Sequence, residues 1–217
     1  MAGSGWDFPF RDFCYATHLR WEECSMIAVV LLSVGLGLGA DDAPPPPSAR
    51  LIEAAPAAAS LPNTTIIGYS VSARNRSAVR RAINNSRPAD RSGARHDAYT
   101  TWYFQPTFMR RNGECVPESA DVHYNITITL PDLETRDQLS RGDRAAWDRY
   151  FGALVNHEVN HARIVNEGAR RMLAAMRAST DCEAMQAAVR AGREEVSAAS
   201  AQYDRQTRHG ALEGAIF

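Results

Sequence analysis

From about Asp143 onward, apolar residues recur every three to four positions along this chain. Trp147, Phe151, Leu154, Val165, Met172 and Met176 fall on one stripe, with His161 and Gly168 completing it. That period is helical and predicts a long helix from about Asp143 to Ser179. A second stripe of Met185, Val189, Val196 and Tyr203 predicts another helix from Glu183 to Arg208, with Gly210 where a helix-ending glycine belongs. Before Asp143 the period is different. Val122, Tyr124, Ile126, Ile128 and Leu130 alternate with His123, Asn125, Thr127 and Thr129, the pattern of a half-buried strand. "HDAYTTWYFQPTF" reads as its partner, and the turn in "RRNGEC" joins the two as a hairpin. "TTIIGYSVSA" reads as an earlier strand, and "SAVRRAINNSRP" as a short helix capped by Ser77 and stopped by Pro88. The expected fold class is α+β: N-terminal antiparallel strands with a short helix, then a long antiparallel helical hairpin.

The rest of the chain divides by composition. Residues 1–40 are an N-terminal extension that ends in "MIAVVLLSVGLGLGA", an uncharged apolar run from Met26 to Ala40. That run is short for a membrane span, which takes about 20 residues. It fits the apolar region of a secretory signal, closed by small residues. The first 25 residues mix Asp7, Asp12, Glu22 and Glu23 with Arg11 and Arg20, unlike the short positive start of a signal. Either the true start is Met26 or the segment stays as an anchor, and membrane contact is expected only through it. Residues 41–63 are Pro/Ala-rich and read as an extended linker without a core of its own. The folded domain is expected over 64–217.

A formal net charge of -1 gives no reason to expect nucleic acid as a partner. All the basic side chains are arginine, since the chain has no lysine. Of the four cysteines, Cys14 and Cys24 precede the apolar run, leaving Cys115 and Cys182 in the domain. In an oxidising compartment these two pair as one disulfide, worth about 2–4 kcal/mol. In the cytosol they stay as two free thiols.

The chemistry lies in "YFGALVNHEVNHARIVNEG", where His157, Glu158 and His161 form H-E-x-x-H. On a helix, positions four apart share a face, so two imidazoles reach one metal at about 2.0–2.1 Å. A zinc ion held there lowers the pKa of a bound water toward about 7, and the glutamate is placed to take its proton. The pattern also arises by chance. Against chance, Glu158 and His161 lie on the apolar stripe, between Leu154 and Val165. A buried carboxylate costs several kcal/mol unless something compensates it. A metal does so, and a buried polar cluster with an arginine is the other reading.

A hydrolytic zinc site keeps three protein ligands and one open position. If the second helix folds back near Thr180, equal rise per residue brings Tyr203 and Asp204 level with the motif, and His209 slightly beyond. Helix register favours Asp204. Ligand type and the flexible position after the helix favour His209, which is taken as the third ligand, with Asp204 as the alternative. Glu167 turns away if the helix continues. Tyr203 is a candidate transition-state hydrogen-bond donor, or else a buried helix tyrosine. His96 and His123 are given no role.

The stretch from about Ile66 to Phe217 resembles the bacterial domain-of-unknown-function family 922, described as predicted secreted zinc-dependent proteases. The resemblance is carried by "GYSVSA", "HDAYTTWYF", "DVHYNITITLP", "WDRYFGALVNHEVNH", "TDCEAM" and "YDRQTRHGALEGAIF". It implies export and a zinc-peptidase role for His157, Glu158 and His161. Family members often carry an acidic residue and a glycine inside the motif; Val159 and Asn160 stand there in this chain, at positions that are not ligands. The expectation is a secreted or periplasmic, zincin-like zinc peptidase acting on peptide or protein. The rivals are a zinc amidase acting on cell-wall peptide and an envelope binding domain with a structural metal or none.

Overall fold

The computed structural model describes residues 46–90 and 93–217. The apolar run 26–40 and the extension around it lie outside the described residues. Among the described residues no helix is long and apolar enough to cross a membrane. The domain is mixed α+β, a three-stranded sheet with helices. In chain order it contains α1 (Ala49–Ala54), α2 (Pro56–Ala59), β1 (Thr64–Val71), α3 (Arg76–Ser86), β2 (Tyr99–Arg111), β3 (Glu114–Leu133), α4 (Arg141–Arg177) and α5 (Cys182–Thr207). Short 3-10 turns occupy Arg136–Gln138 and Ala211–Glu213.

The hairpin expected at "RRNGEC" forms by a two-residue turn. Asn112 and Gly113 adopt φ of 54° and 89°. Positive φ at both turn residues matches the twist of the flanking strands. The strands are not all antiparallel, which corrects the sequence expectation. The sheet order is β1-β3-β2: β2 pairs antiparallel with β3, but β1 pairs parallel with β3, Ile66 opposite Ile128. Helix α3 carries the chain from β1 across to the far edge, where β2 runs the opposite way. The hairpin then returns β3 between them in the direction of β1. Parallel neighbours require such a crossover.

Two further expectations change. The cap of α3 is Asn75, whose Oδ1 accepts from the Ala78 N–H at 2.9 Å; Ser77 donates its hydroxyl to the same oxygen. And part of the 41–63 linker is folded. Leu51, Ala55 and Ala58 are fully buried in or between α1 and α2. Gly68 of β1 makes room for this layer, since a Cβ there would stand 2.8 Å from Leu51 Cδ2. A Pro/Ala-rich composition hides such a contribution, because a few small apolar residues suffice once a sheet surface is offered.

The long helix α4 packs its apolar stripe on the inward face of β3 and against α5. The helix pair is antiparallel: His161 meets Ser200, Gly168 meets Val196, and Met172 meets Gly192. A Cβ on Gly168 would lie 2.0 Å from Val196 Cγ2, so this glycine sets how closely the helices approach. Cys115 and Cys182 form a disulfide with Cα atoms 5.1 Å apart, joining the start of β3 to the start of α5. A second tie is ionic. The Asp97 carboxylate accepts from Arg80 through two nitrogens at 2.7 Å, from Arg87 at 3.1 Å and from the Tyr150 hydroxyl at 2.7 Å. Tyr69 of β1 donates to the Asp97 carbonyl at 2.7 Å. That network fastens β1, α3 and α4 around the entry to β2.

Candidate metal centre

His157, Glu158 and His161 sit midway along α4, where the apolar stripe faces the core. All three are buried, at 4%, 3% and 5% exposure. On α5, Val196, Ser200 and Asp204 follow at four-residue steps, so one face of that helix meets the motif. The antiparallel register then sets Ser200 beside His161 and Asp204 beside both histidines.

The result is a convergence of three atoms. His157 Nε2 lies 3.2 Å from Asp204 Oδ1, His161 Nε2 lies 3.1 Å from the same oxygen, and the two Nε2 atoms are 3.2 Å apart. Four ligands arranged tetrahedrally at 2.0–2.1 Å around zinc stand about 3.3 Å from one another. The spacing therefore suits a small tetrahedral ion. The outer nitrogens are already engaged. His157 Nδ1 lies 2.7 Å from Glu213 Oε2, and His161 Nδ1 lies 2.8 Å from Ser200 Oγ. Partners on Nδ1 fix each ring's orientation and leave Nε2 for a metal, the usual arrangement around metal-bound imidazoles. His157, His161 and Asp204 are thus the residues able to hold a metal, and two nitrogens with one oxygen fit zinc.

Third-ligand geometry departs from the first choice made on sequence. Asp204, the register-based alternative, stands with the histidine pair. His209 does not: its side chain is 67% exposed, and its Nδ1 lies 3.5 Å from Asp204 Oδ1. Helix α5 ends at Thr207, and Arg208 and His209 both turn into the left-handed region, with φ of 51° and 52°. That turn carries His209 out to the mouth of the site. Gly210, at φ 79°, then lies flat on His157: a Cβ there would be 3.1 Å from the ring's Cγ.

Tyr203 stacks on the His157 ring, centroids 4.9 Å apart. Its hydroxyl donates to Glu213 Oε1 at 2.6 Å and accepts from Asn160 Nδ2 at 2.8 Å. In this arrangement the ring backs the His157 imidazole and the hydroxyl is engaged by Glu213 and Asn160. Glu213, Ser200 and Thr100 escaped the sequence reading. Ser200 left a faint signal, a polar residue on the apolar stripe of α5. Glu213 left none, because it reaches His157 only through the turn after α5.

Glu158 is held from the sheet. The Thr100 hydroxyl of β2 donates to Glu158 Oε2 at 2.8 Å. Burial raises the Glu158 carboxyl above its usual range, more than the neighbouring histidines and Thr100 lower it. Asp204 moves the opposite way. Its partial burial opposes ionisation, but the hydrogen bonds from His157 and His161 outweigh that and hold it well below the usual carboxylate range. Burial likewise works against the charged form of His157, yet its bonds to Asp204 and Glu213 raise its pKa.

The cluster opens on a cavity of about 450 Å³, walled by α4, α5, the start of β2 and the loop before it. Thr100, Glu158, Asp204 and His209 line it, as do Arg95 and His96. His123 lies elsewhere, paired with Asp121 at 3.5 Å and largely exposed. Glu167 is bound to Arg170 and Arg171 on the outer face of α4.

A family model described as "Bacterial protein of unknown function (DUF922)" matches residues 67–210. Nothing among the curated proteins or the solved structures matches the chain.

Proposed function

Since the chain belongs to the DUF922 family, whose description states no activity, we propose from the site itself that it is an exported zinc-dependent peptidase. The observation that carries this reading is the convergence of His157 Nε2, His161 Nε2 and Asp204 Oδ1 within 3.1–3.2 Å, beside a buried glutamate and an open cavity. These three atoms would hold the ion. Zinc there would supply Lewis acidity, polarising a peptide carbonyl and making a water acidic near neutral pH. The chain's own residues do the rest. Thr100 occupies Oε2 of Glu158 and leaves Oε1 to accept the proton of the attacking water. Burial makes that carboxylate a stronger base, so it takes the water's proton and holds it until the leaving amine receives it. Glu213, Ser200 and Tyr203 hold the imidazoles in place. Strand β2 is an edge of the sheet, and Thr100 and Trp102 on it line the cavity, so an extended peptide fits along it. The disulfide supports a secreted or periplasmic location.

The test has two parts. Elemental analysis of the purified domain should find about one zinc per chain, lost on His157→Ala. Glu158→Gln should keep the zinc and lose peptide hydrolysis by about 10²–10⁴-fold. Unchanged turnover in Glu158→Gln would refute the proposal. A zinc amidase of cell-wall peptide would use the same atoms, and a substrate panel separates the two.

A further inference from the structure

Charge on the walls of the metal-centre cavity is unevenly used. Each carboxylate that lines it already has partners. Glu158 accepts from Thr100, and Asp204 faces the two imidazoles. Asp97 is enclosed by Arg80, Arg87 and Tyr150. Asp90 accepts from the Ala94 N–H at 3.0 Å and lies 3.6 Å from His96 Nε2. The cations are not used up in the same way. Arg95 lines the cavity, and its guanidinium makes no hydrogen bond or ion pair to any described residue. Arg87 gives Asp97 a single nitrogen at 3.1 Å, whereas Arg80 closes on it through two at 2.7 Å. His209 stands at the mouth with its ring 6.0 Å from that of His96. Its N–H donates to the Asp204 carbonyl at 2.9 Å, which fixes it there.

We infer that this rim selects substrates that carry a carboxylate beside the bond to be cut, with Arg95 as the principal recognition group and Arg87 as its neighbour. The inference rests on the peptidase reading and names its substrate class. A planar guanidinium presents two parallel N–H donors that match the two oxygens of a carboxylate. The carboxylate has two sources, the free C-terminus of a peptide or an acidic side chain next to the scissile bond. Both present the same pair of oxygens.

The test is calorimetric binding of three short peptide hydroxamates to the zinc-loaded protein. One is amidated with neutral side chains. One has a free C-terminal carboxylate. The third is amidated and carries a glutamate side chain. At least one acidic probe should bind about tenfold tighter than the neutral one, the size of a charged hydrogen-bond pair. In Arg95→Ala protein the acidic and neutral probes should bind alike, and Arg95→Lys should recover only part of the preference. Preference for the free carboxylate identifies an enzyme that trims C-terminal residues; preference for glutamate identifies an acidic side chain as the determinant. Equal binding of all three probes by the parent protein would overturn the carboxylate selection while leaving the peptidase reading intact. Failure of every probe to bind a protein holding one zinc would remove the peptidase reading, and this inference with it.

Discussion

Two partly buried polar clusters line one cavity in this molecule, and they are built on opposite principles. Around Asp97, donors close on one acceptor: two guanidiniums and a phenol surround one carboxylate, which draws them together. Around Asp204, two imidazole nitrogens and a carboxylate oxygen face one another at 3.1–3.2 Å, and the supporting hydrogen bonds attach from behind, at Nδ1. Two imidazole nitrogens and a carboxylate oxygen turned inward form a donor set that a cation could join in place of the protons they share. A closed network fastens elements together. A convergent set of nitrogen and oxygen atoms, held by second partners and opening on a cavity, is the arrangement that our proposed metal site rests on. The contrast lies in how the partners are arranged and not in residue type, since both clusters use an aspartate.

The comparison breaks most sharply at Asp97. Asp97→Asn leaves two arginines facing a neutral amide and should cost about 3 kcal/mol in denaturant unfolding. The proposed zinc stoichiometry of one per chain should be unaffected, because the atoms proposed to hold the ion come from α4 and α5. A loss of zinc in that variant, with the fold retained, would mean the clusters are coupled. The same carboxylate sets a pH dependence. Burial opposes its ionisation, but the bonds from Arg80, Tyr150 and Arg87 outweigh this and lower its pKa. A carboxyl lowered on folding contributes its stability above the unfolded value of about 3.9 and loses it as pH falls through the folded value. The stability gap between the parent and Asp97→Asn should therefore be full at neutral pH and close only in acid below about pH 4.

Glu213→Gln probes the other cluster. It keeps the shape behind His157 and removes the charge, so zinc affinity should weaken about 10–100-fold with little change in unfolding free energy. Competition with a chelator measures this, and unaltered affinity would make Glu213 a packing residue. Ser200→Ala should have the smallest effect. It removes one neutral partner of His161, worth about 1 kcal/mol, and should lower zinc affinity several-fold in the same assay.

What the chain's pattern determined on its own is local. The apolar stripe of α4, the alternation of β3 and the Asn-Gly turn each rest on contacts within a few residues. The i, i+4 spacing of His157 and His161 therefore assigned them to one face before any tertiary contact was known. Glu158 was legible as buried for the same reason. The parallel pairing of β1 was not, since period alone does not say which neighbour a strand takes. The seat of α1 and α2 was hidden too, because the burial of Leu51, Ala55 and Ala58 comes from packing on distant elements such as β1 and α4. The candidate third ligand shows the boundary most clearly. Counting residues along two antiparallel helices reached Asp204, but the choice between it and His209 depended on where α5 stops. It stops at Thr207, and the left-handed turn at Arg208 and His209 sends the histidine outward and returns Glu213 to His157. A side chain's reach is set by its own helix, whereas the meeting of two helices is set by close contacts such as Gly168 on Val196, which only the folded chain contains.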